Sequence, residues 1–215
     1  MNKYIVELIG TFFLVFTIGN VVLPPGAGDL APLAIGAVLM AMVYAGGHIS
    51  GAHYNPAVTL AIALRGKCEW KDVVPYWVCQ VVGAFIAAFV VTWLKTDLVE
   101  TVAAVPISVD DNLTKFLVAE GLFTFALAFV VLNVATAKGT DGNSFYGLAI
   151  GFTVLAGAFS VGGITGGVFN PAVAVGLISM GKLALADVWV YLVANFGGAA
   201  AAALVFAAVN KESDD

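Results

Sequence analysis

Apolar residues run through this chain in long stretches with few polar interruptions. A helix that crosses a bilayer needs roughly 20 mostly apolar residues. Six stretches approach that length: Tyr4–Leu23, Ala31–Ala45, Val73–Leu94, Thr114–Val134, Phe145–Val161 and Ala186–Val209. The second and fifth are short, and each runs into a glycine-rich stretch, Gly47–Tyr54 and Gly162–Phe169, which reads as a loop. Two further apolar runs, Ala57–Leu64 and Ala172–Met180, are too short to span and read as half-helices. Each follows Asn-Pro. Proline suits the first helical position, where its missing N–H would be unpaired anyway. Asparagine just before it can cap the helix.

The pattern of helix, helix, half-helix, helix therefore occurs twice. Asn55-Pro56-Ala57 and Asn170-Pro171-Ala172 lie 115 residues apart. At the same offset Ser50 falls on Thr165, Gln80 on Asn195 and Gly83-Ala84 on Gly198-Ala199. Glu7 is matched near this offset by Glu120. The expected unit is one membrane domain over residues 1–215, with repeats at about 1–95 and 113–210. Three spans per repeat force the second copy to enter from the opposite side, so the repeats are inverted, with broken helices meeting at the midplane. The predicted fold is all-α: six transmembrane helices plus two re-entrant half-helices.

Composition agrees with this pattern. Of 215 residues 61% are hydrophobic and 11% charged, against about 25% charged in soluble domains. The net charge of −5 has no basic stripe for nucleic acid. The acidic end Glu212-Ser213-Asp214-Asp215 reads as a solvated tail. With the N-terminus inside, Lys3, Arg65, Lys67, Lys71, Lys138 and Lys211 are cytoplasmic, and Lys95, Lys115 and Lys182 are outside. That bias favours cytoplasmic termini and makes Lys95–Asn112 the external link between repeats. Tyr4–Leu23 is too long for the core of a signal peptide and contains Glu7. Cys68 and Cys79 are expected to be free thiols, with no CxxC spacing between them.

Non-helical backbone at membrane depth is tolerated where protein buries it or where it lines a watery cavity. Two capped half-helices meeting from opposite sides would set positive potential at the centre. The amides of Asn55 and Asn170 would add donors there. Cations are disfavoured at such a point, whereas neutral molecules with an acceptor oxygen are not.

These residues resemble the major intrinsic proteins, the aquaporin and aquaglyceroporin family. The likeness rests on the Glu7 and Glu120 runs, His48 through Thr59, Gln80, Thr165-Gly166, Asn170-Pro171-Ala172 and Gly197-Gly198-Ala199. It implies a homotetramer with one pore per subunit, and Asn55 and Asn170 orienting the permeant. In that family the second motif is normally followed by arginine, part of an outer selectivity filter. Here the position is Val173, and the other three filter positions fall on Ile35, Ala158 and Gly167. The Asp that marks glycerol channels is also absent, since Ala174 follows Val173. The expected filter is wide and apolar, with the Gly167 carbonyl as its remaining acceptor.

Other candidates have plainer readings. Glu7 and Glu120 would brace their own repeat's loop through hydrogen bonds; proton coupling is the sharper alternative. His48 and His53 have no further ligands nearby and read as loop-packing or pore-lining, with no metal or cofactor expected. Gln80 and Asn195 would tie helices or loops together, and Gly83, Gly197 and Gly198 would allow close packing. Trp70, Trp77, Trp93 and Trp189 lie near predicted helix ends, as interfacial anchors do. Asn112-Leu113-Thr114 matches a glycosylation acceptor by chance. A channel for water or small neutral solutes in a plasma (inner) membrane is the leading reading. An ion- or proton-coupled transporter with inverted repeats is the alternative, and no catalytic set supports a membrane enzyme.

Overall fold

The computed structural model describes residues 1–96, 107, 109 and 113–210. Lys211, the acidic end, Asn112 and most of the Lys95–Asn112 link lie outside the described residues. Eight α-helices are present among the described residues: α1 (Asn2–Val22), α2 (Ala31–Ser50), α3 (Pro56–Leu64), α4 (Trp70–Leu94), α5 (Leu113–Thr136), α6 (Tyr146–Thr165), α7 (Pro171–Ser179) and α8 (Val188–Val209). Short 3-10 turns precede α2, α6 and α8. α1, α2, α4, α5, α6 and α8 are each long and apolar enough to cross a membrane. Their outward faces carry large apolar side chains such as Phe89, Leu122 and Leu204. In water such a surface would be an aggregation liability, whereas in lipid it is ordinary.

α1 lies along α4, α5 lies along α8, and α2 pairs with α6 across the middle. Each half-helix packs on the last helix of the other repeat, α3 on α8 and α7 on α4. Glycines set the closest approaches. A Cβ on Gly83 would stand 2.5 Å from the Leu8 carbonyl oxygen, and one on Gly198 would stand 2.3 Å from that of Gly121. The two repeats thus use the same device at matched places.

The glycine-rich stretches are mostly helical, which corrects the sequence reading. α2 runs through Gly46-Gly47 to Ser50, and α6 runs through Gly162-Gly163 to Thr165. The true loops are only Gly51–Asn55 and Gly166–Asn170. Glycine in a helix costs about 1 kcal/mol. An unpaired backbone N–H at membrane depth costs more, so the helices continue until a left-handed residue ends them. Those residues are Gly51 (φ 84°) and Gly166 (φ 90°), whose N–H groups close the helices onto Gly47 and Gly162. Trp77 is a second correction. Its indole N–H donates to the Pro56 carbonyl at 3.0 Å and its ring packs on Phe196, so it joins α4 to the half-helix layer instead of anchoring at the interface. Trp70, Trp93 and Trp189 are exposed.

Candidate functional site

The two short loops share one backbone path. Left-handed φ recurs at the first, second and fourth positions: Gly51, Ala52 and Tyr54 in one, Gly166, Gly167 and Phe169 in the other. Such φ values cost a residue with a Cβ roughly 1–2 kcal/mol. Ala52, Tyr54 and Phe169 are held there by a buried carboxylate beneath each loop. Glu7 Oε1 accepts from the Ser50 hydroxyl (2.7 Å) and the His53 N–H (2.9 Å), and Oε2 accepts from the Tyr54 N–H (2.7 Å) and Gln80 Nε2 (2.8 Å). Glu120 does the same with the Thr165 hydroxyl (2.6 Å), the N–H groups of Val168 (3.0 Å) and Phe169 (2.8 Å), and Asn195 Nδ2 (3.1 Å). Both carboxylates are fully buried.

Two residues of this frame escaped the sequence reading. The hydroxyl of Tyr76 donates to the Ser50 carbonyl (2.7 Å), and that of Tyr191 donates to the Thr165 carbonyl (2.8 Å). Each satisfies a carbonyl at a helix end that would otherwise be orphaned. Their shared offset of 115 was the available signal.

Asn55 and Asn170 each cap a half-helix. Their Oδ1 atoms accept from the N–H groups of Ala57 and Val58, and of Ala172 and Val173, at 2.9 and 3.4 Å in both cases. Their amides cross over. Asn55 Nδ2 donates to the Phe169 carbonyl (2.8 Å) and Asn170 Nδ2 donates to the Tyr54 carbonyl (2.9 Å). Each amide keeps a second N–H, and both residues line an elongated cavity of about 220 Å³. Pro56, Ala57, Pro171 and Ala172 lie buried in the first turns behind these caps. The two helix N-termini, each equivalent to roughly +0.5 charge, flank this point.

Of the four filter candidates, Ile35, Gly167 and Val173 line the cavity. Ala158 instead backs Gly167: its Cα is 3.2 Å from where a Gly167 Cβ would stand. Val154 and Gly162, one turn to either side, form the wall on that helix. Lys182 and Ile107 stand at one end of the cavity, where the Ile107 N–H donates to the Lys182 carbonyl (3.0 Å). Beyond the other end lies a vestibule of about 930 Å³, lined in part by His48, Lys67 and Lys138. His48 therefore faces this vestibule, and His53 lies between the two spaces. Cys68, in the α3–α4 connection, is half-buried, and burial pushes its thiol above the usual value.

Comparison with known proteins agrees with this geometry. The profile of the major intrinsic protein family matches residues 1–206. Aquaporin NIP1-4 of Oryza sativa subsp. japonica is 35% identical over 220 residues, covering 100% of this chain and 79% of that protein. Glycerol uptake facilitator protein-like 6 of Lactiplantibacillus plantarum is 34% identical over 210 residues, covering 94% of this chain and 95% of its own length. Among solved structures, the aquaglyceroporin from Plasmodium falciparum superposes with a TM-score of 0.80 at 24% identity, over 95% of this chain and 94% of that one. With crossed asparagine caps, inverted repeats and a family match over nearly its whole length, this chain belongs to the major intrinsic protein family.

Proposed function

We propose that this protein is a passive channel through which water and small neutral solutes, of the glycerol, urea and ammonia class, cross a membrane. One observation carries the reading. The cavity that holds both asparagine caps is otherwise walled largely by aliphatic side chains, so a permeant meets hydrogen-bonding groups at few points. The half-helix N-termini disfavour cations there. Membership of a channel family speaks against the coupled-transporter alternative and against an enzyme.

Ile35, Gly167 and Val173 form the outer filter in this reading, with Ala158 behind Gly167. With valine where an arginine would bring a charge and five donors, the filter accepts larger and less polar solutes. The working unit is a homotetramer in the plasma (inner) membrane with both termini cytoplasmic. The bunching of Lys67 and Lys138 at one vestibule supports that orientation.

Flux of water, glycerol, urea and ammonia into vesicles holding the purified protein tests the proposal. Val173→Arg is expected to lower glycerol flux about tenfold relative to water, the scale of discrimination a pocket gains from one changed group. Equal glycerol flux in the two proteins would remove Val173 from the filter. An imposed proton gradient should leave solute flux unaltered; accumulation against a solute gradient would revive the coupled transporter.

A further inference from the structure

The cavity around the asparagine caps does not open freely into the cytoplasmic vestibule. Among the described residues, only His53 and Ile150 line both spaces. The neighbouring helices change sides at the same level. On α2, Leu39 faces the cavity and Val43 the vestibule; on α3, Val58 faces the cavity and Ile62 the vestibule. Val43, Ile62, Ile150 and His53 are all buried, at 2%, 5%, 5% and 7% exposure. A partition therefore separates the two spaces. The outer positions Ile35, Gly167 and Val173 all line the one cavity.

Hydrogen bonding fixes what the partition offers to a solute. The Thr59 hydroxyl lies within hydrogen-bond distance of the Asn55 carbonyl (3.0 Å). Thr59 Oγ1 accepts from Gln80 Nε2 (3.0 Å) and pairs with His53 Nδ1 (3.1 Å). The Gln80 amide cannot turn round, because its Nε2 also donates to the Glu7 carboxylate. With Nδ1 engaged by Thr59, Nε2 is the ring nitrogen left to meet a solute. A Cβ on Gly51 would stand 3.1 Å from that Nε2, so the bare glycine, itself in the vestibule wall, leaves the nitrogen uncovered. Nε2 has no hydrogen-bond partner among the described residues.

The inverted repeat supplies an internal comparison. At the offset of 115, Val58 corresponds to Val173, but His53 corresponds to Val168 and Thr59 to Ala174. With the same loop path at both ends, only the cytoplasmic end has an imidazole and the hydroxyl that orients it.

We propose that solutes are selected at this cytoplasmic partition, where Val43, Ile62 and Ile150 limit size and His53 Nε2 is the one side-chain hydrogen-bonding atom that the described residues leave open to a permeant. This rests on the channel reading above and moves its controlling point from the outer filter to the other side of the asparagine pair. Val43, Ile62 and Ile150 are specificity-determining side chains. Gln80 and Thr59 are positioning residues that act through His53.

Vesicle flux of water, urea and glycerol, normalised to protein incorporated, tests this in four variants. Ile150→Ala widens the partition and is expected to raise the glycerol-to-water ratio about tenfold, a larger change than Ile35→Ala in the outer filter produces. Ile150→Phe narrows the partition and should lower the ratio, so the size claim stands on a second variant if the first folds poorly. His53→Val, which copies the residue of the second repeat, is expected to slow water and urea about fivefold. A ratio that moves with Ile35→Ala and not with either Ile150 variant places selection at the outer end and overturns the proposal. Unaltered water and urea rates in His53→Val remove the hydrogen-bonding role of His53. Absence of flux in the parent protein for every solute would instead sink the channel reading itself.

Discussion

At the scale of single residues, the strongest constraint is the pair of buried carboxylates. Each oxygen of Glu7 accepts one backbone N–H and one side-chain donor. An amide in its place would turn an NH₂ group toward one of these pairs. Whichever way it turned, a backbone N–H of His53 or Tyr54 would lose its acceptor at membrane depth. A buried unsatisfied donor costs about 1–3 kcal/mol, so Glu7→Gln is expected to lower the apparent melting temperature of the detergent-solubilised protein by about 5 °C. Thermal denaturation followed by circular dichroism would show it, and an unchanged midpoint would mean that the loop does not depend on the carboxylate. Glu7 and Glu120 were legible because carboxylates are rare in apolar runs. Tyr76 and Tyr191 were not, because a tyrosine among apolar residues reads equally as packing or as an interface anchor. Only the hydrogen bond to a helix-end carbonyl distinguishes these uses. Val173 and Ala158 mark another boundary of sequence reading. Counting from the motifs names the positions, whereas the side chain that reaches the cavity depends on how Gly167 packs over Ala158.

At the scale of elements, the number and order of helices followed from apolar run length, but the ends of α2 and α6 did not. Glycine marks a break in a water-exposed chain, where solvent satisfies the freed backbone. In this chain the same glycines stay helical, because their N–H groups have no better partner. The glycines at helix crossings have a separate task that spacing alone conveys only through the repeat. Gly198→Ala drives a methyl group to 2.3 Å from the Gly121 carbonyl oxygen, and neither backbone can yield without parting α5 from α8. Overpacking of this kind costs about 1–3 kcal/mol. Gly197, the next residue, has nothing within 4 Å of its would-be Cβ. The expected result is a lower unfolding midpoint for Gly198→Ala and an unaltered one for Gly197→Ala, compared in the same detergent. Equal effects would show that α5 and α8 are less closely apposed than described.

At the scale of the whole molecule, the odd number of spans in each repeat places the α3–α4 and α5–α6 connections on one side. Lys67 and Lys138 meet in one vestibule as a result, while Lys182 stands at the far end of the other cavity. Single cysteines report this directly. In a background with Cys68 and Cys79 replaced by alanine, Lys182→Cys is expected to react with a membrane-impermeant maleimide applied outside intact cells. Lys67→Cys should react only after permeabilisation. The reverse labelling would invert the orientation.

The crossed amides join these scales. Asn55 donates a hydrogen bond to a carbonyl of the second repeat, and Asn170 donates one to a carbonyl of the first. Neither half can complete its own wall. During synthesis the first repeat must wait, with the Tyr54 carbonyl and one Asn55 N–H unmatched at membrane depth, until the second has entered from the other side. A single repeat made alone would have the same deficit, and two copies inserted in opposite senses would cure it for one another. The chain is thus built as an antiparallel dimer of half-proteins joined by one covalent link. Separately expressed halves are the minimal system in which such reciprocal completion would operate.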